Sequence, residues 1–388
     1  MDIIKEADKF LYGLFLNAAK GVKDNYHRRQ FKGFNRELVS VFAGDWDEAE
    51  RDEEYRELVL PYWEKFGRKP DRFWFELAGS RDRKMDPRYI PSDLYYLELL
   101  PYINNQPFHY ALEDKNYLDL RFPDVKQAAT VCRRIAGEYY DAEMTLIDKE
   151  AAAGLVKEYE GSLFIKPALY TAFGNGIKEF IPAELSDEDI EDLFTSTGAN
   201  FIVQKKIMQH ASLASINPDS VCTIRVLSLF TEGKIYIPNM YLRVSTPGSS
   251  HVTPGSEYNT EIRPDGSISQ KVCFDEGGWL DNREEGIFEE CLVIPGIERV
   301  LDEVRRIHPR VSHFKWIGWD YTIDEDGDPV LIELNASPGD HAQRVCGRPL
   351  FGDMTDWVLE DYFKNRSMDD NQLNGSWCTN NNINKICG

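Results

Sequence analysis

The sequence predicts an α+β chain with a helical N-terminal region, and three observations carry that expectation. Up to about His109, apolar and aromatic residues recur at helical spacing, as in EEYRELVLPYWEKFG and PSDLYYLELLPYI. From about Asn116, short strand and helix segments alternate. Beyond Cys222, pairs of β-rich runs are joined across x-Gly turns, the signature of hairpins. The implied organisation is a helical region over 1–109, a first α+β unit over 110–200, a second over 201–363 and a disordered tail over 364–388.

Bulk properties limit the function. A chain of 388 residues that is 42% hydrophobic and 12% aromatic has material for two or three packed domains. The formal net charge of -21 excludes a long basic track for nucleic acid and leaves room for a local cationic pocket. No run of apolar residues approaches the length needed to span a membrane. The seven cysteines are odd in number, scattered and without a C-x-x-C pair, so they read as buried thiols in a cytoplasmic protein.

Taken in order, MDIIKEADKFLYGLFLNAAKG reads as an amphipathic helix, since Asp2, Glu6 and Asp8 stand where a secretory signal carries positive charge. A helix is expected around DVKQAATVCRRIAG, then a strand SLFIKP, a glycine-containing loop ALYTAFGNG, a helix SDEDIEDLF and a strand FIVQKKI. The first hairpin pairs CTIRVLSLF with KIYIPNMYLRV across Glu232-Gly233, and the second pairs YNTEI with SISQKVCF across Asp265-Gly266. A helix with Ile297, Val300, Leu301, Val304 and Ile307 on one face precedes the third, WIGWDYTIDEDGDPVLIELNASPG. Past Phe363 the chain is polar and Asn-rich without a sustained period.

The third hairpin carries the chemistry. A two-residue turn at Asp326-Gly327 sets Asp320 directly opposite Glu333. Alternation then groups Gly318, Asp320 and Thr322 with Leu331, Glu333 and Asn335, and leaves Ile317, Trp319, Tyr321, Val330, Ile332 and Leu334 as an apolar wall. Opposed carboxylates repel, and a divalent cation reverses the sign of that term. Hard oxygen donors without His or Cys suit Mg²⁺ or Mn²⁺ with phosphate oxygens completing the shell. The bland alternative is a solvated acidic strand; an EF-hand is excluded because Pro329 and Asn335 stand where Gly and Glu belong.

A metal held by so few protein ligands implies cationic phosphate contacts. Lys166 ends a strand ahead of a loop containing Gly174 and Gly176, which suits phosphate although such a strand end is more often ordinary structure. In the first hairpin, simple pairing sets Arg225 opposite Met240 and Arg243 opposite Cys222, two guanidiniums read as lying near one end and on one face. Gln204 and Lys205 sit where a hinge strand meets an adenine edge; His210 and Lys115 are weaker candidates. Walker, G-x-G-x-x-G, protein-kinase, H-E-x-x-H and G-x-S-x-G patterns are all missing.

With EDKN, LFIKPALYTAFGNGI, FIVQKKIMQHASLASINPDSVCTIRVLSL and the third hairpin in hand, the chain resembles the ATP-grasp superfamily over roughly residues 110 to 360. It resembles more narrowly the sugar-transfer-associated ATP-grasp proteins encoded near surface-polysaccharide genes. The resemblance implies two α+β subdomains clamping ATP, with Asp320, Glu333 and Asn335 as ligands of Mg²⁺. Lys115 and Lys166 would be the ATP-contacting lysines, Gln204 and Lys205 the adenine hinge, and Arg225 a phosphate contact near the reacting carboxylate. The glycine loop is poorer in Gly than the family pattern. The implied activity is an ATP-dependent carboxylate–amine ligase working through an acyl phosphate on small-molecule or peptide substrates. A phosphotransferase on a hydroxyl or sugar and a non-catalytic nucleotide-binding module are the alternatives. The substrates and the oligomeric state are not specified by the sequence.

Overall fold

Alternating apolar residues between Thr223 and Asn335 build a seven-stranded sheet in a computed structural model that describes residues 25–105, 108–169, 176–246, 257–274 and 277–366. The expected helix near residue 10, most of the glycine loop (170–175) and residues 367–388, with Cys378 and Cys387, lie outside the described residues. Six earlier strands form a smaller sheet: β1 (Thr130–Ile135), β2 (Glu138–Asp141), β3 (Leu146–Ile147), β4 (Leu163–Pro167), β5 (Lys178–Phe180) and β6 (Phe201–Lys205), ordered β3-β2-β1-β6-β4-β5. The large sheet comprises β7 (Thr223–Thr231), β8 (Lys234–Ser245), β9 (Glu257–Ile262), β10 (Ile268–Phe274), β11 (Gly278–Asp281), β12 (Trp316–Ile323) and β13 (Pro329–Asn335). Its order is β11-β10-β9-β8-β7-β12-β13, and both sheets are antiparallel throughout.

One expected element is corrected. The helix anticipated around DVKQAATVCRRIAG is strand β1, which turns back through Ala136 (φ 51) and Gly137 (φ 99) into β2. A turn with two positive φ values matches the strand twist. Cys132 enters the core of the small sheet while Arg133 points to its other side, the period-2 alternation of a strand.

Each sheet buries a different helical layer. The helices Lys149–Lys157 and Asp187–Thr197 cover one face of the small sheet; the second opens with a capping box between Ser186 and Asp189. The helix Ile297–Ile307 buries the predicted apolar face against the large sheet. The opposite face of that sheet meets the N-terminal helices and the helices Ala342–Cys346 and Thr355–Asn365 in one core that includes Trp63, Tyr95, Trp316 and Phe351. The helix Thr355–Asn365 thus runs past the start of the expected tail. Two N-terminal helices loosen into π turns over Tyr55–Val59 and Tyr95–Leu99, ahead of Pro61 and Pro101, which have no N–H for an i→i−4 bond.

The segments joining the sheets grip the β12–β13 hairpin. Leu331 donates its N–H to Lys126 O at 2.9 Å, His210 to Ile323 O at 2.8 Å and Glu325 to Met208 O at 3.0 Å. Buried Asn104 ties the N-terminal region to the same hairpin through Trp316 N–H at 3.0 Å and the carbonyls of Trp316 and Ala336. Among the described residues, no helix is long and apolar enough to cross a membrane.

Candidate functional site

Asp320 does pair with Glu333, but by two departures that cancel. The turn is one residue longer than expected: Asp324 and Asp328 close it, with Gly327 at φ 82. A β-bulge at Ile332 then restores the register, because Tyr321 pairs with Leu331 while Asp320 pairs with Glu333. Leu331, not Val330, therefore joins the apolar wall with Trp319 and Leu334. Bulges beside functional residues re-aim side chains, and this one sets the pair.

A second bulge aligns the arginines. Leu229 pairs with Tyr236 but Leu227 with Asn239, so Ile237 and Pro238 together oppose Ser228. Proline lacks the N–H for a ladder bond and is confined to such places. The shift sets Arg225 opposite Tyr241 and Arg243 opposite Thr223, correcting the pairs with Met240 and Cys222. Unbulged pairing would put the two arginines on opposite faces; the bulge puts them on one.

On that face Arg225 binds both oxygens of Asp320, through Nε to Oδ1 and through Nη2 to Oδ2 at 2.8 Å. Arg243 donates to Glu257 at 2.8 Å, and its Nη1 lies 3.6 Å from Asp320 Oδ2. Asp320 is only 3% exposed, and burial pushes its carboxyl up against the pull of Arg225 and Arg243. Asn335 Nδ2 lies 3.5 Å from Asp320 Oδ2.

Glu333 faces the smaller sheet. Lys115, on a 3-10 turn over Lys115–Tyr117, brings Nζ to 3.4 Å from Glu333 Oε2. Partial burial pushes the Glu333 carboxyl up, but Lys115, Arg225 and Arg243 outweigh it and hold the group well below the usual carboxylate range. Lys166 in β4 donates to Gln204 Oε1 in β6 at 3.2 Å. Burial and neighbouring Lys115 push the Lys166 ammonium down to about 8, against the pull of Glu333.

Two candidates are placed apart. Alternation sends Lys205 to the face opposite Gln204, where its Nζ stands 4.8 Å over the Tyr159 ring. The His210 side chain caps the short helix Ala211–Ala214, with Nδ1 3.2 Å from Ser212 N. Lys115, Lys166, Gln204, Arg225, Arg243, Asp320, Glu333 and Asn335 form the cluster.

Sequence reasoning missed several neighbours. Glu113 accepts the Ala336 N–H at 2.6 Å, fixing the end of β13, and Glu257 partners Arg243. Tyr241 reaches His341 Nε2 at 3.0 Å. Burial and the positive charges of Arg344, Arg243 and Arg225 keep the His341 imidazole neutral. The spacing of Glu113 and Lys115 in EDKN was a usable signal for one of them; the Tyr241 and His341 pairing is tertiary.

The donor set fits a hard divalent ion. Asp320 and Glu333 offer carboxylates from paired positions and Asn335 an amide oxygen from the same strand. Among the described residues no cluster of three His, Cys, Asp or Glu surrounds a single point, so other oxygens must complete an octahedral shell. Lys115, Lys166 and Arg225 converge on the same place with charge suited to phosphate oxygens.

Residues 103–356 match the profile of the family described as sugar-transfer associated ATP-grasp. No curated protein matches the chain. Solved structures similar to it include the VanG D-Ala:D-Ser ligase from Enterococcus faecalis, at 15% identity and TM-score 0.37 over 64% of this chain and 61% of that one. D-alanyl-alanine synthetase A from Vibrio cholerae O1 biovar eltor aligns at 12% identity and TM-score 0.38, covering 65% of this chain and 64% of that one. The ATP-grasp ligase PsnB complexed with minimal precursor, Mg and ADP aligns at 16% identity and TM-score 0.39, covering 67% and 62%. The chain spans less than two thirds of the length of each of these three.

Proposed function

Because the chain belongs to the sugar-transfer-associated ATP-grasp family, we propose that it is an ATP-dependent ligase that joins a carboxylate to an amine through an acyl phosphate. The observation that carries this reading is the opposed pair Asp320 and Glu333 meeting Lys115, Lys166 and Arg225 between the two sheets. The substrates are small molecules or peptides, and a place in surface-polysaccharide or peptide-conjugate assembly suits the family name.

In this reading Asp320, Glu333 and Asn335 would hold Mg²⁺, which when bound would neutralise charge on the nucleotide phosphates. Lys166 and Lys115 contact phosphate oxygens, and Gln204 orients Lys166 at the adenine side. Arg225 contacts a phosphate near the reacting carboxylate, and Arg243 steadies that carboxylate. One carboxylate oxygen bonds to the γ-phosphorus as the bond to ADP breaks, and ADP leaves with that electron pair. The amine nitrogen then bonds to the acyl carbon, inorganic phosphate departs, and the amine gives up a proton. The acyl phosphate needs shielding from water, and Asp320 and Arg225 form a buried part of the cluster beside it.

The test is a matrix of carboxylates and amines scored for ADP and free phosphate with Mg²⁺ and ATP. Release of both products only when both substrates are present supports ligation. ADP without free phosphate, with phosphate on the acceptor, would establish a phosphotransferase instead. Nucleotide binding without turnover across the matrix would favour a non-catalytic module.

A further inference from the structure

The site already contains cations where a metal would sit. Arg225 engages both oxygens of Asp320, with Nη2 to Oδ2 at 2.8 Å, and Lys115 stands 3.4 Å from Glu333. These contacts offset the repulsion that two opposed carboxylates would otherwise feel across the hairpin. We propose that Lys115 and Arg225 are resident counter-ions of Glu333 and Asp320, which release the two carboxylates to a divalent cation only when nucleotide phosphates arrive to take the ammonium and guanidinium in exchange. The proposal rests on the reading of this cluster as a nucleotide and metal site.

Charge supplies the reason. Lys115 meets Glu333, Arg225 meets both oxygens of Asp320, and Arg243 lies between Glu257 and Asp320, so each metal-ligating carboxylate already faces a cation. A divalent ion alone would have to break the Arg225–Asp320 and Lys115–Glu333 pairs, and the buried Arg225 guanidinium would lose its bidentate partner, which is expensive. A nucleotide alone would leave its phosphates facing Asp320 and Glu333. Together the two ligands satisfy every group. Each favours the other, as reciprocal linkage requires.

Placement adds a mechanical element. Lys115 reaches Glu333 from the side of the smaller sheet, since its N–H donates to Ala168 O at 3.3 Å just beyond β4. Arg133, buried in that sheet, donates to Asn116 O and to Asp119 Oδ2, the latter at 2.7 Å, and so holds the turn that carries Lys115. The backbone turn that carries Lys115 is therefore anchored to the smaller sheet.

The experiment titrates Mn²⁺, a paramagnetic stand-in for Mg²⁺, into the full chain with and without ADP and follows free ion by electron paramagnetic resonance, after subtracting the ion that ADP chelates in a protein-free titration. Wild-type protein should bind Mn²⁺ weakly alone and about tenfold or more tightly with ADP. Lys115→Met and Lys115→Gln, checked for folding by thermal melting, should bind Mn²⁺ alone about fivefold more tightly than wild type and lose most of the ADP-induced gain. Glu333→Gln should abolish the tight phase, which locates the signal. Equal Mn²⁺ affinity with and without ADP, or no tightening in either Lys115 variant, would overturn the exchange while leaving the ligase reading intact. No Mn²⁺ binding in any state would overturn the exchange and the metal site together. Exchange without turnover in any substrate mixture would keep this inference and remove the ligase.

Discussion

Arg225 Nη2 lies 2.8 Å from Asp320 Oδ2, and both side chains are under 10% exposed on the face of the sheet shared with Arg243. A buried bidentate ion pair resists removal of one partner more than removal of both.

Arg225→Met should therefore destabilise the protein by about 3 kcal/mol, and adding Asp320→Asn should recover part of that loss. Urea unfolding of the two single variants and the double variant measures the coupling. Simple additivity would show that the pair contributes nothing beyond its separate members.

Lys166, held down at about 8, gives nucleotide binding a pH dependence. The ammonium form contacts phosphate, so affinity should hold below about 8 and fall as pH rises through it, by up to about tenfold per unit. Stability runs the other way: between about 8 and the unfolded value of 10.5 the unfolded chain binds the extra proton, so raising pH favours folding. Calorimetric ATP titrations from pH 6.5 to 9.5 test this, and Lys166→Arg, which keeps its charge, should flatten the profile.

His308 predicts acid sensitivity. Its Nε2 donates to Phe314 O at 2.9 Å, so Nδ1 accepts from Ser228 Oγ–H at 2.8 Å, and burial pushes the imidazole down to about 4. The unfolded chain takes up this proton near 6.5 and the folded chain does not, so stability falls as pH drops from 6.5 toward 4. Between pH 6.5 and 5 the loss from this group is about 2 kcal/mol. Urea midpoints at both pH values should converge more closely in His308→Gln than in wild type; an unchanged pH slope would refute the assignment.

Gly318 has no room for a methyl group. An added Cβ would meet Pro338 Cβ at 2.9 Å and Arg225 Cδ at 3.2 Å. Gly318→Ala should destabilise by about 1–3 kcal/mol. It should also weaken nucleotide binding by displacing Arg225. Normal nucleotide affinity in a destabilised variant would separate Arg225 from the site.

Much of this was legible in one dimension. The helix of Ile297, Val300, Leu301, Val304 and Ile307, the strands around Lys166 and Gln204 and the three hairpins follow from periodicity and turn residues, because side-chain direction is set locally. The strand Thr130–Ile135 is not legible in the same way, because a short segment containing Ala128, Ala129 and two arginines satisfies a helical period as well as an alternating one. Lys205 was grouped with Gln204 although adjacent strand residues face opposite ways.

Turn residues and alternation are enough to put two carboxylates and an amide on one hairpin, with lysines and arginines suited to phosphate elsewhere in the chain. Which cations meet which carboxylates is set by packing. Those choices hang on bulges at Pro238 and Ile332, where one extra residue turns a strand's faces over, and on a turn that carries Lys115 to Glu333 across more than two hundred residues of chain. Register and long-range closure depend on the packing of whole layers, so no local spacing encodes them.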